Sequence, residues 1–85
     1  REIDILAQKG DTLLVAEVKT RTSLSFGEPE AFVSKAKQRL LIEAANQYIG
    51  KHKLSLEVRF DIISIVFKGN SHQLHHIEDA FYPVV

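Results

Sequence analysis

The 85-residue chain is long enough for one small domain, and 45% hydrophobic with 26% charged residues is the balance of a folded globular chain, which excludes disorder. No apolar run approaches the roughly 20 residues of a bilayer-spanning helix; the longest, Ile62 to Phe67, is strand-sized. Eleven Lys and Arg balance eleven Asp and Glu, so bulk charge gives no support for nucleic-acid binding, and the lack of cysteine excludes disulfides and thiolate metal sites while fitting a reducing compartment.

Glu2 to Gln8 reads as a short strand, and Lys9 to Asp11 as a turn in which Gly10 takes a positive φ. Thr12 to Lys19 is a second strand, so the two form an antiparallel hairpin. Thr20 to Ala31, with its Ser, Thr, Gly and Pro, reads as a loop. Ser34 is the expected N-cap of a helix whose apolar stripe is Ala36, Leu40, Leu41, Ala44, Ala45 and Tyr48, with Gly50 as its stop. Lys35, Gln38, Arg39, Glu43 and Asn46 fall on the opposite helix face.

Leu56 to Phe67 is the strongest strand, with Phe60, Ile62 and Val66 on one side and Ile63, Ile65 and Phe67 on the other. Apolar residues on both sides predict a central strand covered twice. Lys68 to Ser71 is a hairpin turn, and His72 to Phe81 is a more polar edge strand. The order β-β-α-β-β predicts a single domain over 1–85 of α/β (α+β) class, with one helix on one sheet face. The chain starts at Arg1, without Met and almost within a strand, so truncation at the N-terminus is expected, with the missing helix upstream.

The residues that carry chemistry lie on the first hairpin. Glu17 and Lys19 are two apart in a strand and share a face. A two-residue loop at Lys9 and Gly10 puts Asp4 diagonal to Glu17, and a four-residue loop puts it directly opposite; a three-residue loop separates the faces. In the first two registers the carboxylates are roughly 5–8 Å apart, within reach of one divalent cation. Mg²⁺ asks for few protein oxygens and keeps several waters. Two carboxylates therefore leave room for a phosphate oxygen and an attacking water, while the lysine stabilises charge developing on phosphorus. The structural alternative is a cross-strand ion pair on a solvated face.

Other candidates are weaker. Glu2 shares Asp4's face and is either a metal assistant or a solvated terminal charge. Arg21 and Lys37 are the candidate phosphate-contacting residues, Lys37 because it borders the apolar stripe; Lys35 and Arg39 read as a solvated helix face. Asp61, inside an apolar strand, needs partners, and Arg59 or backbone amides are the expected ones. His52, His72, His75 and His76 match no zinc spacing and read as surface residues.

The segments EIDILA, DTLLVAEVKTR, FGEPEA, KQRLLIEAANQYI, RFDIISI and IEDAF, in this order and spacing, resemble the YraN-like uncharacterised bacterial protein family, uncharacterised protein family 0102. That family is similar to the Holliday-junction resolvases of the PD-(D/E)xK nuclease superfamily. The resemblance implies a restriction-endonuclease-like mixed sheet and a metal-dependent DNA nuclease using Mg²⁺ or Mn²⁺. Asp4 matches the motif aspartate, Glu17 the second acidic residue and Lys19 the motif lysine, with Asp4 and Glu17 as metal ligands. It also implies branched DNA as substrate, a bacterial cytoplasmic setting and no membrane. A homodimer is expected, since cutting two strands asks for two sites. The rival expectation is a non-catalytic nucleic-acid-binding or partner-binding module on the same fold.

Overall fold

The computed structural model describes residues 3–22, 33–52 and 55–82. They form β1 (Ile5–Lys9), β2 (Thr12–Thr22), α1 (Lys35–His52), β3 (Glu57–Lys68) and β4 (Ser71–Phe81). The four strands make one mixed sheet in the order β1-β2-β3-β4. The two hairpin pairings are antiparallel and the central β2–β3 pairing is parallel. Parallel neighbours require a crossover, and the segment containing α1 supplies it. This is the α+β arrangement that the order of elements predicts.

Each hairpin turns on a glycine in the left-handed region, Gly10 at φ 59° and Gly69 at φ 58°, a conformation in which a Cβ is strained. Strand β2 runs through Thr22, beyond Lys19, because its last residues pair with Ile65, Val66 and Phe67 of β3. The expected loop therefore loses its first three residues to the strand, and 23–32 lie outside the described residues.

Ser34 caps α1 as expected: its Oγ accepts from the Lys37 amide at 3.1 Å. The helix runs past Gly50 to His52. Gly50 takes no positive φ, so the left-handed C-cap that would end the helix there does not form. Lys51 and His52 occupy the last turn, where positive charge suits the helix dipole.

Helix α1 packs on one sheet face through Leu41 and Ala45, which meet Val15, Val33, Phe60, Ile62 and Phe81. The Phe60 and Phe81 rings stack with centroids 5.1 Å apart. Ala36, at the start of the expected stripe, is exposed. On the opposite face of β3, where a second cover is expected from upstream, Ile63 and Ile65 are half-buried and Phe67 is exposed among the described residues.

One irregularity interrupts β3–β4. Phe60 pairs with Phe81 and Ile62 with Ile77, so Asp61 alone faces Glu78, Asp79 and Ala80. Strand β4 bulges there, and Asp79 takes φ 55°.

Candidate metal centre

The hairpin register decides whether Asp4 and Glu17 meet. Lys9 pairs with Thr12 and Ile5 with Ala16, so one further step puts Asp4 opposite Glu17. This is the register expected of the four-residue loop, closed by one more pair so that Gly10 and Asp11 form the turn. Asp4 is anchored by its own carboxylate, whose Oδ2 accepts from the Val18 amide at 2.9 Å.

Glu17 is 5% exposed, although its neighbours on the same face, Asp4 and Lys19, reach solvent. Its Oε2 has two ammonium groups at 3.7 Å, Lys19 from the same strand and Lys37 from α1. Its Oε1 is buried with no hydrogen-bond partner among the described residues. Burial, then the Asp4 carboxylate, push the Glu17 carboxyl above its usual range, while Lys37 and Lys19 pull it back. Leaving a buried carboxylate oxygen without a partner is costly. The donor set is two carboxylates, and among the described residues no third His, Cys, Asp or Glu joins them. A hard cation that keeps most of its waters fits such a set.

Lys37 arrives here because the Ser34 cap fixes the first turn of α1 against the sheet, with Val33 in the core. Arg21 lies two residues beyond Lys19 in β2, the same-face spacing, and donates from Nη1 to the Thr20 carbonyl at 2.9 Å. Lys35 and Arg39 are exposed. Glu2 lies outside the described residues.

Asp61 belongs to a separate cluster on the opposite face. It is fully buried and takes a two-pronged contact from Arg59, Nε to Oδ1 at 3.0 Å and Nη2 to Oδ2 at 2.9 Å. The Asp79 amide donates to Oδ1 at 2.9 Å, and His76 Nε2 lies 2.7 Å from Oδ2. Burial alone raises its carboxyl, but the bonds from Arg59, the Asp79 amide and His76 outweigh this and hold it below the usual carboxylate range. The expected Arg59 and backbone partners are both present. His76 is the partner that the sequence reading missed, since its contact depends on the cross-strand register and on the bulge.

No helix among the described residues is long and apolar enough to cross a membrane. Comparison with known proteins finds a family model, that of the uncharacterised protein family UPF0102, matching residues 1–65. A UPF0102 protein of Flavobacterium psychrophilum is 49% identical over 81 residues, covering 95% of this chain and 68% of the relative. One of Flavobacterium johnsoniae is 51% identical over 85 residues, covering 95% and 69%. One of Geobacter metallireducens is 46% identical over 81 residues, covering 94% and 66%. The family match spans the hairpin with Asp4, Glu17 and Lys19, the helix with Lys37 and most of β3, and the chain belongs to the uncharacterised protein family UPF0102.

Proposed function

We propose that this protein is a metal-dependent DNA nuclease, with Asp4 and Glu17 as ligands of one Mg²⁺ or Mn²⁺. The observation that carries the reading is the buried, unpartnered Oε1 of Glu17 beside a second carboxylate, with two lysines on its other oxygen. A purely structural ion pair needs neither the second carboxylate nor the orphaned oxygen. The bound ion would polarise the phosphate and lower the pKa of a water. Lys19, the more solvent-reaching arm of the motif, stabilises charge on the phosphate oxygens as the water oxygen bonds to phosphorus and the ester oxygen leaves with a proton. Lys37 favours the ionised form of Glu17 against the opposing effect of burial and Asp4, and adds positive charge beside the site. Arg21, farther along the same face, holds a neighbouring phosphate. The resemblance to junction resolvases points to branched DNA and to a homodimer that presents two such sites.

A second reading has its own support. Two ammonium groups balance two carboxylates at this spot, which is how a non-catalytic DNA-binding or partner-binding module would keep the motif without using it. Cleavage assays on single-stranded, duplex, flap and four-way-junction DNA with Mn²⁺ or Mg²⁺ separate the two. Glu17→Ala should lower cleavage by about 10²-fold or more. Equal DNA binding by both proteins with no cleavage by either would leave the binding module standing.

A further inference from the structure

Glu17 lies in the last row of the sheet that the helix covers. It pairs with Ile62, which pairs with Ile77, and both isoleucines belong to or pack against the core under α1. The next row on that face is Lys19, Ser64 and His75, and the one after it is Arg21, Val66 and Gln73. None of these six residues is in the core cluster, although Ser64 is buried. A cleft of about 430 Å³ opens here, lined by Ser64, Val66, Gln73, Leu74 and His75. This lies within the roughly 300–1,000 Å³ of ligand clefts.

The residue types account for the cleft. Ser64 stands on β3 where the two preceding same-face positions hold Phe60 and Ile62. Its small buried side chain lies at the base of the cleft, while Val66 supplies apolar surface and Gln73 and His75 supply donors and acceptors on an exposed edge strand; Leu74, paired with Ile65, turns its side chain to the opposite face. A cleft of mixed apolar and polar lining accommodates a flat heteroaromatic ring, and Gln and His are side chains that read base edges or stack on bases. The slot begins one strand, about 4.8 Å, from Lys19.

We propose that this cleft receives an unpaired nucleobase next to the phosphate held at Lys19. The proposal rests on the nuclease reading and sharpens its substrate: DNA in which the base flanking the cleaved bond is splayed out of the stack. A paired base is held in its duplex and enters only after the energy of unstacking is spent. Val66 contacts the ring, and Gln73 and His75 bond its edge.

The test uses fluorescein-labelled dT12 and a blunt hairpin duplex with Ca²⁺ in place of Mn²⁺, and compares the wild type with Ser64→Val and with Gln73→Ala/His75→Ala. Both variants should weaken dT12 binding about tenfold, the loss expected from two hydrogen bonds or a filled slot. Duplex binding and Mn²⁺ affinity should match the wild type in both, and the urea midpoint should match it in the exposed double variant. Because Gln73 and His75 are exposed, the double variant stays informative should Ser64→Val misfold. Unchanged dT12 binding by the double variant, or equal losses on both DNAs, overturns the base slot and leaves the metal site standing. A wild type that takes neither Mn²⁺ nor DNA overturns both.

Discussion

Lys37 Nζ lies 3.7 Å from Glu17 Oε2 and so joins the first turn of α1 to the middle of β2. The pairing runs against the helix's own interest. The first turn carries no acidic residue, although a negative charge there would favour the helix by about 0.3–1 kcal/mol. A Glu at the position of Lys37 would also complete a capping box with Ser34. A lysine in that place makes sense through what it does for Glu17.

The expected consequence is a shift in pH dependence. Lys37 lowers the Glu17 pKa, so Lys37→Gln lets it rise, and Glu17 must be ionised to hold a cation. The acid limb of Mn²⁺ binding, followed by titration at a series of pH values, should move to higher pH in Lys37→Gln. An unmoved limb would mean that Lys37 acts on nothing at Glu17.

Glu17 should also leave a signature on stability. Its folded pKa is raised above the ordinary 4.5, so the stability it contributes is fully present below that pH and is lost as pH rises through the folded pKa. Urea unfolding should therefore show Glu17→Gln gaining on the wild type across this window. Mn²⁺ at about 100 times its Kd should add about 2.7 kcal/mol to the wild type at pH 7.5 and nothing to the variant. A wild type indifferent to Mn²⁺ would count against the metal.

Asp61 predicts the opposite sign. Its folded pKa is held below the ordinary 3.8, so its contribution is present above that value and is lost as pH falls through the folded pKa. Asp61→Asn weakens the charge-assisted bonds to Arg59 and His76 in a fully buried position. It should cost about 2–4 kcal/mol in urea unfolding at pH 7. A cost under about 0.5 kcal/mol would mean that the cluster relaxes freely.

Asp79 offers a finer test of the bulge. At φ 55° a residue with a Cβ is strained, and aspartate tolerates the region better than alanine. Asp79→Gly should be about 1 kcal/mol more stable than Asp79→Ala. Both keep the backbone amide that bonds Asp61 and both lose the 3.2 Å bond from Tyr82 Oη, so the difference isolates the backbone. Equal stabilities would show the bulge to be unstrained.

Much of this fold was legible because local rules agree with one another. The glycines at positions 10 and 69 mark the two hairpin turns, Ser34 marks the helix start, and alternation in β3 gives its two faces. The shared face of Asp4 and Glu17 followed from parity for a two- or four-residue loop, and the observed register removes the three-residue alternative. Burial of Glu17 did not follow from parity, because it depends on Val33, α1 and Ile62 closing over that row. The Lys37 contact needed the helix placed on the sheet, and the His76 contact needed a bulge of two extra residues. The run past Gly50 was missed because a glycine ends a helix only when the chain takes up the left-handed cap there.

The bulge of β4 carries a consequence for what the free border of this sheet can join. Its outer strand keeps an uninterrupted ladder with β3 from Ser71 to Ile77 and then leaves it at Asp79. A visiting strand from another molecule would find regular partners along that stretch and a mismatched, twisted backbone beyond it. At the other border β1 runs only from Ile5 to Lys9 and ends on a charged side chain. Along β4, regular strand addition is thus confined to Ser71–Ile77, and the bulge at Asp79 sets where it would stop.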